Sequence, residues 1–510
     1  MLAQESKSHF LKNNYAGSNN WLVIRLNGST SNTTGIGARV KVKATINGQE
    51  VWQMREINGN SGLNAMNSQE AHFGLGDATD AEMILVEWPS GANSVLLNEN
   101  PNQYITINEA DITSDGLLTV PYEFTTIQAA ISAASDGDTI YVFSGTYVEN
   151  INYNGKNISL IGEDRQTTII DGNNTGRVVI MGQFSSLSNF TIQNGTGSMN
   201  ARGSGINAFG NVILNNLIVK NNTNTTGEGA GIFFDSSPNE IPVLKNSLII
   251  GNTGDGITCH GGNPLIDNVT IINNSLGIYL RPNVSGAHPT VINSIIYGNS
   301  DNNQIIMSTG GNAHLSAIDI SYCLVQGGQS SISQVLNDTI NWGSGNIDVD
   351  PMFFDTTNGN YHLLATSQLI NAGHPDSTDS DGSRADIGAY PYLNTYSGPT
   401  WYVSATDGND TTATGASTAP FKSIQSAINF ATDADSVTVA AGTYVENIKF
   451  RDIQIKVVGE NPTTTIIDGN NNGTVVMYSE GFHYTSSSLL AKFTIMNGYA
   501  EPKGNSQRQG

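Results

Sequence analysis

The chain has 510 residues, a formal net charge of −22 and only 13% charged side chains. A polyanionic surface repels a phosphate backbone, which argues against nucleic acid as a partner. No apolar run reaches transmembrane length, and the opening MLAQESKSHF lacks the apolar stretch of a signal peptide.

Two cysteines, Cys259 and Cys323, are too few for a disulfide framework and read as small buried thiols. The 55 glycines, with abundant Asn, Ser and Thr, suit short strands joined by turns that need positive φ. An all-β chain is expected.

From Trp21 to Glu109, NWLVIRLNG, GIGARVKVKATING, MILVEWPSG and QYITINEA alternate apolar and polar residues between turn signals. This reads as a small antiparallel β domain over residues 21–110. GIGAR at Gly35–Arg39 lacks the Lys-Ser/Thr of a phosphate loop, so its glycines read as turn formers. His72 reads as a packed residue. SNNWLVIRLNG, GIGARVKV, HFGLGDAT and VEWPSG resemble, in order and spacing, the ASPIC/UnbV domain. That resemblance implies a secreted protein in which the domain follows a propeller of FG-GAP or VCBS repeats. FLKNNYAGSNNW at Phe10–Trp21 then reads as the tail of the last blade. Residues 1–20 would belong to a domain lost upstream, and the chain would be a fragment.

After a linker at 111–123, FTTIQAAISAASDGDTIYV places Ile127, Ala130, Ile131 and Ala134 on one helical face and then enters a strand at Thr139–Val142. Three strand types follow, recurring at roughly 21–31 residues. One reads FTIQN, LIVKN, LIIGN, TIINN and IIYGN. A second reads GINAF, GIFFD, GITCH and GIYLR, and a third VLKNS, LIDNV and VINSI. Short strands of this kind cannot bury a face singly, but stacked coils enclose a continuous core. The pattern predicts a right-handed parallel β-helix over residues 124–392 and resembles the pectin-lyase-like superfamily. Asn194, Asn221, Asn252, Asn274 and Asn299 are expected to stack as a structural ladder at one turn. The helix Thr125–Ala134 is expected to cap the solenoid, whose exposed end needs a cover.

A linker at 393–400 precedes a repetition. Residues 421–477 align without a gap to 124–180 with about half the positions identical, and GTYVENI occurs at both Gly145–Ile151 and Gly442–Ile448. Residues 401–510 therefore read as the start of a second β-helix, cut short at the C-terminus.

Alternation in the Gly-initiated strands turns Ile206, Ile232, Ile257 and Ile278 inward, with Cys259. It turns Phe233, Tyr279, Asp235, His260 and Arg281 outward. Asp235, His260 and Arg281 fall in one column, near Asp255. An acid, a base, a cation and two ring faces suit a carbohydrate polymer: Arg pairs with a uronate carboxylate and His abstracts a proton.

Against catalysis, the acidic calcium-ligand cluster that the resemblance implies for pectate lyases is missing from the matching coils. The Asp pair of polygalacturonase-type hydrolases is also absent. Asp376, Asp379, Asp381 and Asp386 in HPDSTDSDGSRAD offer hard oxygens for calcium, with a solvated turn as the alternative.

The expected function is a secreted or cell-surface bacterial β-helix protein, monomeric, that serves adhesion or polysaccharide binding. The alternatives are a polysaccharide lyase or glycoside hydrolase acting on an acidic glycan, and a structural spacer.

Overall fold

The computed structural model describes residues 17–59, 67–109, 116–197, 202–224, 229–282, 286–308, 315–335, 337–478 and 488–499. Most of the expected propeller tail, and the last residues of the second solenoid, lie outside them. The chain divides into two compact units, Met1–Phe143 and Ser144–Gly510. Among the described residues no helix is long and apolar enough to cross a membrane.

In the first unit, β1 (Asn20–Asn27), β2 (Arg39–Ile46), β3 (Gln49–Glu56), β4 (Glu70–Gly76), β5 (Ala81–Glu87), β6 (Asn93–Glu99) and β7 (Gln103–Asn108) form two sheets, ordered β4-β1-β7 and β3-β2-β5-β6. The pairings are antiparallel except β1 with β7. Leu22, Ile24, Val40, Val42, Phe73, Leu75, Ile84 and Val86 fill the core between them, as alternation requires. Gly35 adopts φ 66 beside Leu26, a turn conformation that suits its lack of a Cβ. His72 departs from expectation. It sits on the outer face of β4 with its side chain 60% exposed, because Ala71 and Phe73 take the inward positions.

Further on, β8 (Leu117–Val120) pairs in parallel with β9 (Thr139–Val142). Between them lies α1 (Ile127–Ala133), capped by the Thr126 side chain and buried through Ile127, Ala130 and Ile131.

The second unit opens with the predicted parallel solenoid. Its first wall stacks eight parallel strands from Gly145–Val148 to Leu324–Val325, its second eight from Ile151–Asn152 to Ile332–Ser333. A third wall runs from Ser159–Gly162 to Thr339–Trp342. Isoleucines 206, 232, 257, 278 and 305 form an unbroken inward row on the second wall, each fully buried.

The asparagine ladder is real but starts at Asn222; in the coil of Asn194 the rung position is Gly195, whose amide donates to Asn222 Oδ1 at 2.8 Å. Register pairs Lys220 with Ile250, which puts Asn222, not Asn221, beneath Asn252. Asn222 Nδ2 donates to Asn252 Oδ1 at 3.0 Å, Asn252 Nδ2 to Asn274 Oδ1 at 2.8 Å, and Asn274 Nδ2 to Asn299 Oδ1 at 3.1 Å. Asn194 and Asn221 instead take positive φ at the turn, the position Gly251 and Gly298 fill in later coils. The motif is thus a left-handed residue followed by a buried Asn, and the first of two adjacent asparagines is not the rung.

Residues 353–392 fold back over the first wall. Tyr361, Ala389 and Tyr390 cover Ile218, Leu248 and Ile272, and Gly388 N donates to Asn293 O at 2.8 Å. This cover accounts for the outward apolar residues Ile218, Leu248 and Ile272.

The second solenoid stacks directly behind. Every residue of α2 (Ile424–Phe430) is buried, and one core joins Leu363, Leu369 and Ile370 to Ile424, Ile428 and Phe450. The repeated phrase has its reason here. Glu446 caps α2 by accepting the amides of Ile424 (2.8 Å) and Gln425 (2.9 Å). Asn447 and its counterpart Asn150 each bond the carbonyl one coil above, at Thr474 and Arg177.

Candidate functional site

The expected column belongs to the second wall, away from the cover that residues 353–392 make over the first. Asp235 pairs in register with His260, and Cys259 with Leu280, so Arg281 follows one coil above His260. The expected column therefore exists. His260 Nδ1 lies 3.0 Å from Asp235 Oδ1, an arrangement that favours the Nδ1–H tautomer and fixes the ring. Phe209 extends the column below Asp235 and is 38% exposed. Tyr279 and Arg281 are half-buried.

Two of the expected ligand contacts are out of reach. Phe233 faces outward yet is 1% exposed, because Arg202 lies over its ring at 5.5 Å and the His260 ring stands 5.5 Å away. Asp255 is also covered. It accepts the Thr258 hydroxyl at 2.8 Å, and burial raises its carboxyl to about 6 against the hydrogen bonds from Thr258 and Gly229. Both cysteines are fully buried, and desolvation pushes their thiols up to about 12.

The structure adds what the strand pattern did not reveal. Arg202 lowers the pKa of both Arg177 and Arg281, after burial as the first cause. Arg202 over the Phe233 ring and Arg281 one coil above His260 also bring two guanidinium groups to this column, on a chain with only 22 cationic residues. Arg177 and Arg202 lie in turns before the strands, where period-two alternation carries no information. Phe184 is a second exposed ring, 62% exposed at φ 62. Its amide donates to Asn211 O, beside the Phe209 turn. A phenylalanine held left-handed is strained by about 1–2 kcal/mol, and its ring is presented to solvent.

The four loop aspartates do not converge. Asp386 is buried and accepts the amides of Asn371 and Tyr392, each at 2.7 Å. Asp379 accepts the amide of Asp386, and Asp381 those of Ser383 and Asn394. Asp376 is almost wholly exposed. Among the described residues no group of three potential metal ligands forms. Asp381 lines a cleft of about 620 Å³ at the junction of the solenoids, with Arg384, Tyr396, Asp433 and Asp452. On another side Asp410, Lys422, Tyr444 and Glu446 line one of about 590 Å³. Glu446 and Asp410 already accept amides of 422–425 there.

Residues 28–114 match the family model described as ASPIC and UnbV. The N-terminal segment is thus an ASPIC/UnbV domain. Residues 406–460 match a second model, a protein family of unknown function, DUF1565. No curated protein matches the chain.

Among solved structures the chain is similar to the pectate lyase Pel9A, at 14% identity and a TM-score of 0.32, over 52% of this chain and 91% of that one. It is also similar to a pectin methylesterase from carrot, at 14% identity and TM-score 0.28, over 47% and 89%. A pectin methylesterase in complex with a hexasaccharide aligns at 10% identity and TM-score 0.26, over 74% and 94%. The β-helix itself rests on the strand pairing described above, not on these likenesses.

Proposed function

We propose that the solenoid binds an acidic polysaccharide along its second wall, and that the protein works outside the cell or at its surface. The arginines beside the Asp235–His260 column carry this reading. Arg202, over Phe233 beside the His260 ring, and Arg281, one coil above His260, bring guanidinium groups to this wall of a strongly anionic chain, and guanidinium groups pair with carboxylates in a two-point geometry. Phe209, Phe184 and Tyr279 supply ring faces nearby for sugar stacking. Coils about 4.8 Å apart make the surface a periodic track suited to a repeating ligand.

Affinity electrophoresis tests it. Polygalacturonate should retard the chain at low salt, and its methyl-esterified form much less. Arg281→Ala should weaken retention about ten-fold, as for a desolvated charged contact. Equal retention of the variant, or none by any polyuronate, would overturn the proposal.

One observation favours a second reading, uronate elimination: His260 is held on Asp235 one coil below Arg281. Unsaturated uronide released by wild type and not by His260→Ala would establish it.

A further inference from the structure

The ASPIC/UnbV domain carries a second surface that the solenoid reading does not use. Along β1, Leu22, Ile24 and Leu26 enter the core while Trp21, Val23 and Arg25 face the other way. Val23 stands between His72 of β4 and Tyr104 of β7 in register. It is buried, whereas Trp21 is 38% and Tyr104 56% exposed. The two rings meet edge to face with centroids 5.5 Å apart. Arg25 lies 4.8 Å from the centre of the Tyr104 ring, and its Nε donates to Glu70 Oε1 at 2.7 Å.

This cluster is preassembled. Asn102 clamps the backbone of Trp21, accepting its amide at 3.2 Å and donating to its carbonyl at 2.6 Å. Opposite Trp21 the strand carries Gly74, where a Cβ would meet nothing within 4 Å. The space beside the indole is therefore open. Next to the rings, Arg25 and Glu70 form one side of a cleft of about 520 Å³ whose other walls include Thr34, Asn67, Ser68 and Gln69.

Exposed rings grouped on a sheet face mark a recognition surface. Their neighbours identify the ligand. Apart from Leu26, the cleft is lined by amides and hydroxyls, and its two charges meet in an ion pair. It thus offers donors and acceptors to hydroxyl groups but no net charge to an ion. We propose that this face binds an uncharged oligosaccharide, with Trp21 and Tyr104 against the C–H faces of its rings and an adjoining sugar in the cleft. The site is independent of the second-wall arginines and differs from them in ligand charge.

The test is affinity electrophoresis of the whole chain in gels carrying a β-glucan, an α-glucan, a mannan, a xylan or a galactan. At least one should retard the wild type. Trp21→Ala and Tyr104→Ala should each weaken that retention about ten-fold, and Arg281→Ala should leave it unchanged. Gly74→Leu, which fills the open space without touching either ring's anchors, should block binding in a folded chain.

The proposal falls if no neutral polymer retards the chain, or if retention survives Gly74→Leu and Trp21→Ala together. It also falls if sedimentation shows that the wild type self-associates and Trp21→Ala abolishes this, for the face would then be an interface between copies.

Discussion

Glu109 ties the end of the ASPIC/UnbV domain to the loop after β1. Its Oε2 accepts the amides of Ser29, Thr30 and Ser31 at 2.6–2.7 Å, and its Oε1 the hydroxyls of Ser31 and Ser90. Burial alone would raise this carboxyl. The hydroxyls of Ser90 and Ser31 and the amides of Ser31 and Ser29 outweigh burial and hold it at about 2, from an ordinary 4.5.

At 1.36 kcal/mol per pH decade that difference is roughly 3 kcal/mol. Screening at the loop rim reduces it to ~2 kcal/mol. Because the folded value is depressed, the stabilisation is complete above pH 4.5 and lost as pH falls toward 2.

Glu109→Gln removes the charge but keeps the shape. Amide exchange over residues 28–33 at neutral pH should then accelerate about 30-fold, which is ~2 kcal/mol at the same conversion. The wild type, corrected for intrinsic exchange, should lose this protection on acidification while the variant shows no such step. Equal protection of the two at neutral pH would refute the assignment.

Two further outcomes are expected. Asn252→Ala strips the partner from the buried amide of Asn222 and from the carbonyl of Val219, lowering the solenoid's stability in urea by ~3 kcal/mol. Asn221→Gly, at a left-handed turn position with φ 55, should change it by no more than about 0.5 kcal/mol, and equal effects would dissolve the ladder assignment. Asp386 is raised to about 8, by burial first and then by Asp379, against the amides of Tyr392 and Asn371 and the Arg451 charge. A raised folded value means that stability is full at acid pH and falls as pH rises through 8. The thermal midpoint should therefore drop between about pH 4 and about pH 8, and Asp386→Asn should flatten that slope.

The inward isoleucine row, the cap-helix faces and the Asp235–His260–Arg281 column were legible because each follows from a fixed period, two for strands and 3.6 for helices. Asn222 was missed in favour of Asn221 because adjacent asparagines are chemically alike, and only the backbone twist at the first makes the second the rung. Alternation presents Phe233 as an open ring face because it reports direction, not cover. Arg202, which lies before the strand of the preceding coil, closes over it. His72 reads as packed only until Ala71 and Phe73 are seen to hold the inward positions.

Repetition in the amino-acid order thus sufficed for the architecture, since the same apolar spacing, written coil after coil, admits one stacked arrangement. It also sufficed to announce the second solenoid through the doubled GTYVENI. Tertiary structure alone decided which wall is open, because residues 353–392 return across the first wall from more than a hundred positions away. It likewise decided that Arg202 lies over Phe233 beside His260 and that Trp21 stands opposite Gly74. Such proximity arises from turns and register, whose geometry is summed over many residues and leaves no local pattern to read.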